Sequence, residues 1–326
     1  MRRRALLRGS LALSFAATAW ASHAQATRRA RLGFLSGGQQ GFGEITIDIL
    51  STALAELGWR EGDTLTIERR WASGDFARLP PLARELALLR PDVIVATGSH
   101  ETRSLQLATQ DIPVVFMQVV DPVGLGIVAS IARPGGNITG FTQGPQILWG
   151  KRLDLLSDLI GRRPSRLGWL GNPGNPASAS NWVDAKEAAE RLGAEIVRAE
   201  ASQAGEIESA VGFMRDRDAL LVQWDFLFAV ERHRIAELAN RNRLPAAYEN
   251  RAQALAGGLM SYGGDLRENY QRGAAYVDRI LKGARPADLP VVEASRFEFV
   301  INLKTARALG LTIPPTLLAR ADEVIE

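Results

Sequence analysis

The 326-residue chain contains no cysteine. Disulfides, thiolate nucleophiles and zinc–sulfur sites are therefore excluded, and so is the lipidated cysteine that tethers many exported proteins. Histidine is nearly as scarce: of three in the chain, only His100 and His233 lie beyond residue 26, which argues against a histidine-built metal site. No metal and no cofactor is expected. No G-x-S-x-G elbow occurs, and no Gly-Lys-Ser/Thr follows the glycines of Ser36-Gly-Gly-Gln-Gln-Gly-Phe-Gly43, so serine hydrolysis and a phosphate cradle lack their motifs. Excess charge is missing too. The formal net charge of +3 includes Arg2, Arg3, Arg4 and Arg8 and no acid from the same stretch, leaving −1 for the rest. A near-neutral body offers no broad field for nucleic acid or an anionic membrane, and neither is expected as a partner.

Those four arginines open a segment of their own. They precede a short apolar run over residues 9–20, and Ser22-His23-Ala24 and Ala24-Gln25-Ala26 are both small-x-small cleavage sites. The run is shorter than the roughly 20 apolar residues that span a bilayer, and Arg28, Arg29 and Arg31 follow it. Residues 1–26 thus read as an export signal, with a mature chain starting near Gln25 or Thr27. Arg3-Arg4-Ala5-Leu6-Leu7-Arg8 resembles a twin-arginine address, which leaves the export route open between folded and unfolded translocation. The expected product is a periplasmic protein that is not lipid-anchored. Its roughly 300 residues suffice for two domains.

From Arg31 onward, short apolar runs alternate with segments of helical period, the pattern of parallel strands with crossover helices. Arg31-Leu-Gly-Phe-Leu35, Leu65 with Ile67, Asp92-Val-Ile-Val-Ala96 and Pro113-Val-Val-Phe-Met-Gln-Val119 give four strands. The first helix sets Ile45, Ile49, Leu50, Ala53, Leu54 and Leu57 on one face, and a second covers 79–89. The pattern restarts after Asn137-Ile-Thr-Gly-Phe141, with a helix at 148–160 and strands at 166–170, 195–197, 219–223 and 245–248. The fold class is therefore α/β, with two doubly wound parallel-sheet lobes. Gly257-Gly-Leu-Met-Ser-Tyr-Gly-Gly264 reads as a crossing back to the first lobe, and Phe297-Glu-Phe-Val-Ile301 with a helix at 303–309 completes the second. The expected division is 27–140 plus 263–290 for one lobe, and 141–262 plus 291–326 for the other.

Open parallel sheets bind ligands at the carboxyl ends of their strands. In lobe one those loops supply Ser36, Gln39, Thr97, Gly98, Ser99, Gln118 and Asp121. In lobe two they supply Asn172, Asn175, Trp224, Asp225, Tyr248 and Glu249. Hydroxyls, amides, aromatic rings and carboxylates of this kind suit a small polar ligand with an apolar or aromatic body. Several also have a plainer role. Trp224 and Tyr248 could be core aromatics, Asp225 and Glu249 first-turn acids, Asp121 the cap of a turn, and Asn172-Pro-Gly-Asn-Pro176 a rigid loop. Ser99 is expected to cap a helix whose first turn Glu101 favours. Gly124-Leu-Gly126-Ile-Val-Ala129 imitates a dinucleotide fingerprint, but no acid lies between Asp121 and Asp154 to hold a ribose; a helix packed on the sheet explains it.

Gly58-Trp-Arg-Glu-Gly62, Asp121-Pro-Val-Gly-Leu-Gly126, Arg133-Pro-Gly-Gly-Asn-Ile-Thr-Gly140, Gly257-Gly-Leu-Met-Ser-Tyr-Gly263 and Val300-Ile-Asn-Leu-Lys304 with Ala308-Leu-Gly-Leu311 run in order along nearly the whole chain. In these segments the sequence resembles the substrate-binding proteins of bacterial ABC transporters, in the family with tryptophan- and tyrosine-binding members. The resemblance implies a type I periplasmic binding fold, three crossing segments as a hinge, and a small-molecule ligand closing the cleft. It implies an ABC permease as partner, a monomer, and no chemistry on the ligand. Within that picture the loop at Thr97, Gly98 and Ser99 is the candidate for a ligand carboxylate, Asp225 or Glu249 for an amino group, and Trp224 or Tyr248 for an aromatic side chain. A sensor reporting to a membrane receptor, or an enzyme on the same scaffold, are the alternatives.

Overall fold

The computed structural model describes residues 29–40, 44–143 and 148–326; the export-signal reading of residues 1–26 lies outside them. Among the described residues two sheets form. The first takes β1 (Ala30–Ser36), β2 (Leu65–Trp71), β3 (Val93–Ala96), β4 (Val114–Val119) and β5 (Ile138–Thr142) in the order β2-β1-β3-β4-β5, all parallel. The second takes β6 (Arg166–Gly171), β7 (Glu195–Glu200), β8 (Ala219–Val222), β9 (Ala246–Tyr248), β10 (Met260–Gly264), β11 (Phe297–Asn302) and β12 (Glu323–Ile325) in the order β12-β11-β10-β9-β8-β6-β7.

Both faces of each sheet are covered, which is why the inner strands such as β3, β4 and β8 are apolar nearly throughout, while the edge strands β2 and β7 carry charged residues. On one face of the first sheet Phe34, Val93 and Val95 pack on the helices Glu44–Glu56 and Leu266–Leu281. On the other face Leu35, Ile94 and Ala96 pack on Leu79–Leu88 and Ser99–Ala108. The second sheet repeats the scheme: Leu167, Trp169 and Leu221 point to one core, and Leu170, Leu220 and Val222 to the other. The period of two along each strand supplies both cores from one run of sequence.

The chain passes between the sheets three times. It leaves the first after β5, returns from β10 into the helix Leu266–Leu281, and crosses again between Val292, which bridges to Phe141, and β11. Asp265 caps the returning helix by accepting from the Arg267 and Glu268 amides. Its residues Tyr270, Ala274, Val277 and Ile280 sit in the first lobe's core.

Three local expectations change. The second sheet is not wholly parallel, because β10 and β11 pair antiparallel. β10 runs toward the crossing and β11 comes back from it, so the two must oppose. The segment expected as a crossing at 257–264 contains β10 and leads into the helix Leu266–Leu281. Residues 124–129 form turns and no helix: Asp121 Oδ1 accepts from the Gly124 amide at 2.8 Å, and Leu125 N–H donates to the Asp121 carbonyl. On the first helix Ile45 and Leu57 are exposed, while Ile47, Leu50 and Leu54 carry the contact with the sheet.

Candidate functional site

The loops after β3 and β4 meet those after β6 and β8 around a cavity lined by Gly98, Ser99, His100, Glu101, Gln118, Val120, Gln143, Asn175, Ala177, Asn181, Trp224, Asp225 and Phe226. It holds about 20 Å³, room for roughly one water. A wider cleft of about 620 Å³ adjoins it and shares Gln118, Trp224 and Phe226. That volume is in the range of small-molecule sites.

Local backbone aims these side chains. The register of β4 against β5 shifts between Phe116 and Val119, and Gln118 and Asp121 both take left-handed backbone, with φ of 54° and 46°. A bulge of this kind turns a side chain out of the strand's alternation, and here Gln118 lines the cavity. In lobe two Asp225 caps the short helix Phe226–Val230 by accepting from the Leu227 amide at 2.9 Å, which fixes Phe226 next to it. The Phe226 ring then lies against the Gly37, Gly38 and Gly98 backbone of lobe one. A Cβ on Gly37 would stand 2.9 Å from that ring and 2.7 Å from Glu101, so only glycine lets the two lobes approach this closely here.

The acids divide into committed and uncommitted. Asp225 is buried and accepts from Leu227 N, from Asn172 Nδ2 at 3.1 Å and from Asn175 Nδ2 at 2.8 Å, with His100 Nε2 3.5 Å away across the cleft. Glu249 accepts from the Trp224 amide at 2.7 Å and from Gln143 Nε2 at 3.3 Å, and pairs at 3.0 Å with Arg152. Arg152 is itself buried, donates to the Tyr262 carbonyl and stacks on Trp149; burial lowers its pKa. Glu249 therefore positions Trp224 from beneath. Glu101 differs from both. It is fully buried; Oε1 accepts from the Gly37 amide at 2.5 Å and from Thr97 Oγ1 at 3.2 Å, while Oε2 has no hydrogen-bond partner. Desolvation pushes its pKa up, partly offset by His100 and by those hydrogen bonds.

Of the residues expected from the sequence, Gly98, Ser99, Gln118, Asn175, Trp224 and Asp225 line the cavity. Ser36, Thr97, Asn172 and Glu249 lie buried behind it as supports: Ser36 Oγ accepts from Gly38 N, and Asn172 Oδ1 from Gly174 N. Gln39 is exposed, and Asp121 closes a turn. Tyr248 is not brought to the cleft. It is fully buried among Leu220, Leu227 and Leu244, because the alternation of β9 that sends Ala247 to one core sends Tyr248 to the other. Ser99 does not cap its helix either; Gly98 holds that position, and Ser99 Oγ accepts from the Val120 amide. Glu101, expected only as a first-turn acid, and His100, expected only outside a metal site, also line the cavity, as do Gln143, Asn181 and Phe226, for which the sequence suggested no role. The available signal for Glu101 was an acid two residues past the strand-end loop at Thr97, Gly98 and Ser99.

Among the described residues no group of three or more His, Cys, Asp or Glu could hold a metal ion, and no helix is long and apolar enough to cross a membrane.

The family model for ABC transporter substrate binding proteins matches residues 44–325. A tyrosine-binding protein of Clostridioides difficile strain R20291 is 26% identical over 261 residues, 79% of this chain and 74% of that protein. Among solved structures, a conserved domain protein of Vibrio cholerae superposes with a TM-score of 0.86 at 28% identity, covering 91% of this chain and all of the other. A Streptococcus pneumoniae ABC domain in complex with L-Trp gives 0.85 at 27%, with the same coverage.

Proposed function

From the premise that this chain belongs to the ABC transporter substrate-binding protein family, we propose that it is a periplasmic binder that captures a small molecule between its two lobes and presents it to an ABC permease. The observation that carries this reading is the polar cavity at the strand ends of both sheets, walled from each side and too small, as it stands, for anything beyond a water. A ligand enters only if the lobes part or Phe226 withdraws. Closure then follows from differential affinity, since a ligand that touches both walls favours the form in which the walls meet. The three crossings between β5, β10, Val292 and their partners are the hinge. The bodies that move are the two lobes expected as 27–140 with 263–290 and 141–262 with 291–326, their boundaries falling close to where β5 ends at Thr142 and β10 ends at Gly264. Ligand is released unaltered.

The relatives named for tyrosine and solved with L-Trp favour an aromatic amino acid or a related aromatic acid, and Trp224 offers it a ring face. A thermal-shift screen of amino acids, aromatic acids and other metabolites tests this. A ligand at 100 times its dissociation constant stabilises by about 2.7 kcal/mol, a shift of several degrees. Stabilisation by non-amino-acid compounds alone would remove the amino-acid assignment and leave solute binding in place.

A further inference from the structure

The cavity walls hold two carboxylates, Glu101 and Asp225, one histidine and no lysine or arginine among the described residues. Asp225 keeps no oxygen free of donors, because Leu227 N and Asn172 Nδ2 donate to Oδ1 and Asn175 Nδ2 donates to Oδ2. Glu101 keeps one oxygen free. Its Oε1 is held by Gly37 N and Thr97 Oγ1, whereas Oε2 is sequestered from solvent on the cavity wall with nothing donating to it. An unpaired buried carboxylate oxygen is costly unless a donor or a proton meets it.

We propose that Glu101 Oε2 is the counter-ion for a protonated nitrogen of the ligand, so that the solute is an amine or amino acid rather than a simple carboxylic acid. This rests on the solute-binding reading and chooses within it. The walls of this cavity offer a carboxylate-only ligand no cation, the arginines of the adjoining cleft being Arg251, Arg267 and Arg296, and they would bring that ligand's charge against two fixed acids. An ammonium group meets the opposite situation: a preorganised oxygen in a site nearly free of water, where a charge-assisted hydrogen bond is strong. A ligand that also carries a carboxylate can place it on neutral donors such as the Gln118 and Asn181 side chains, which line the same cavity.

The test uses probes that share a body and differ in their charged groups. L-tryptophan, tryptamine and indole-3-propionate form one set, and L-leucine, 3-methylbutylamine and 4-methylpentanoate an aliphatic one. Thermal shift and calorimetry are run on wild type and Glu101→Gln. The expected result is binding by nitrogen-bearing members of a set and none by the carboxylate-only member, with affinity falling roughly tenfold to hundredfold in Glu101→Gln, the span of one lost charge-assisted hydrogen bond. Should Glu101→Gln fail to fold, the discrimination among probes by wild type alone decides. Binding of the carboxylate-only probes, or equal affinity in the variant, overturns the inference while solute binding stands. If neither these probes nor the wider metabolite screen stabilises wild type, the binding reading falls together with it.

Discussion

At the scale of single residues, position in the sequence does not reveal how a group is used. Asp225, Glu249 and Glu101 are three buried acids within one region, yet the first organises a loop, the second sets the Trp224 amide and the third keeps an oxygen unpaired. The Glu249–Arg152 pair gives the plainest stability prediction. Removing one member of a buried pair strands the other's charge, so Glu249→Gln is expected to lower unfolding free energy by about 3–5 kcal/mol. Urea denaturation monitored at Trp fluorescence would measure it. A loss below about 1 kcal/mol would mean that Arg152 finds another partner or reaches water. Asp225 and Trp224 were legible because they follow an apolar strand directly. Glu101 was not, because its partner Gly37 lies 64 positions earlier and the pairing exists only once β1 and β3 are side by side.

At the scale of elements, the helix Ser178–Leu192 illustrates how burial of one face sets a titration. Asp184 on its middle turn has its pKa raised to about 6 by desolvation first, then by Glu187 on the same helix and by Asp121 from the first lobe. Its ordinary value is 3.8, so between the two the folded chain holds more protons than the unfolded one. Stability from this group is therefore greatest below about pH 4, declines as pH rises toward 6, and stays lowest above. Asp184→Asn removes the penalty, and its melting temperature should exceed wild type's at pH 7.5 but not at pH 4. Equal melting curves at pH 7.5 would mean that water reaches the carboxylate freely. The periodic helices were legible in the sequence, and the helix Leu148–Ile160 lies where its apolar spacing put it. The helix expected at 124–129 was not formed: a single turn closes between Asp121 and Leu125, and Gly126, with a φ of 63°, ends it there.

At the scale of the whole molecule, the contacts that join the two sheets include Phe226 against a glycine surface, Phe76 against the second lobe's core, His100 near Asp225, and the crossing strands. The approach of Phe226 to Gly37 makes closure sensitive to one Cβ. Gly37→Val places branched carbon where the Phe226 ring, Phe76 and Glu101 already stand within 3 Å of a Cβ, and it should hold the lobes apart. Small-angle scattering of the unliganded variant is expected to give a larger radius of gyration than wild type; an equal radius would locate the closing contact elsewhere. The α/β class, the two sheets and the strand-end loops were set by the sequence itself, because hydrophobic period and turn residues act over neighbouring positions. Which of those loops' side chains converge was decided only by the tertiary structure. The bulge at Gln118, the alternation of β9 that withdraws Tyr248, and the cross-cleft approach of Phe226 depend on residues far apart in the chain, and the burial that leaves Glu101 short of one partner arises only when they come together.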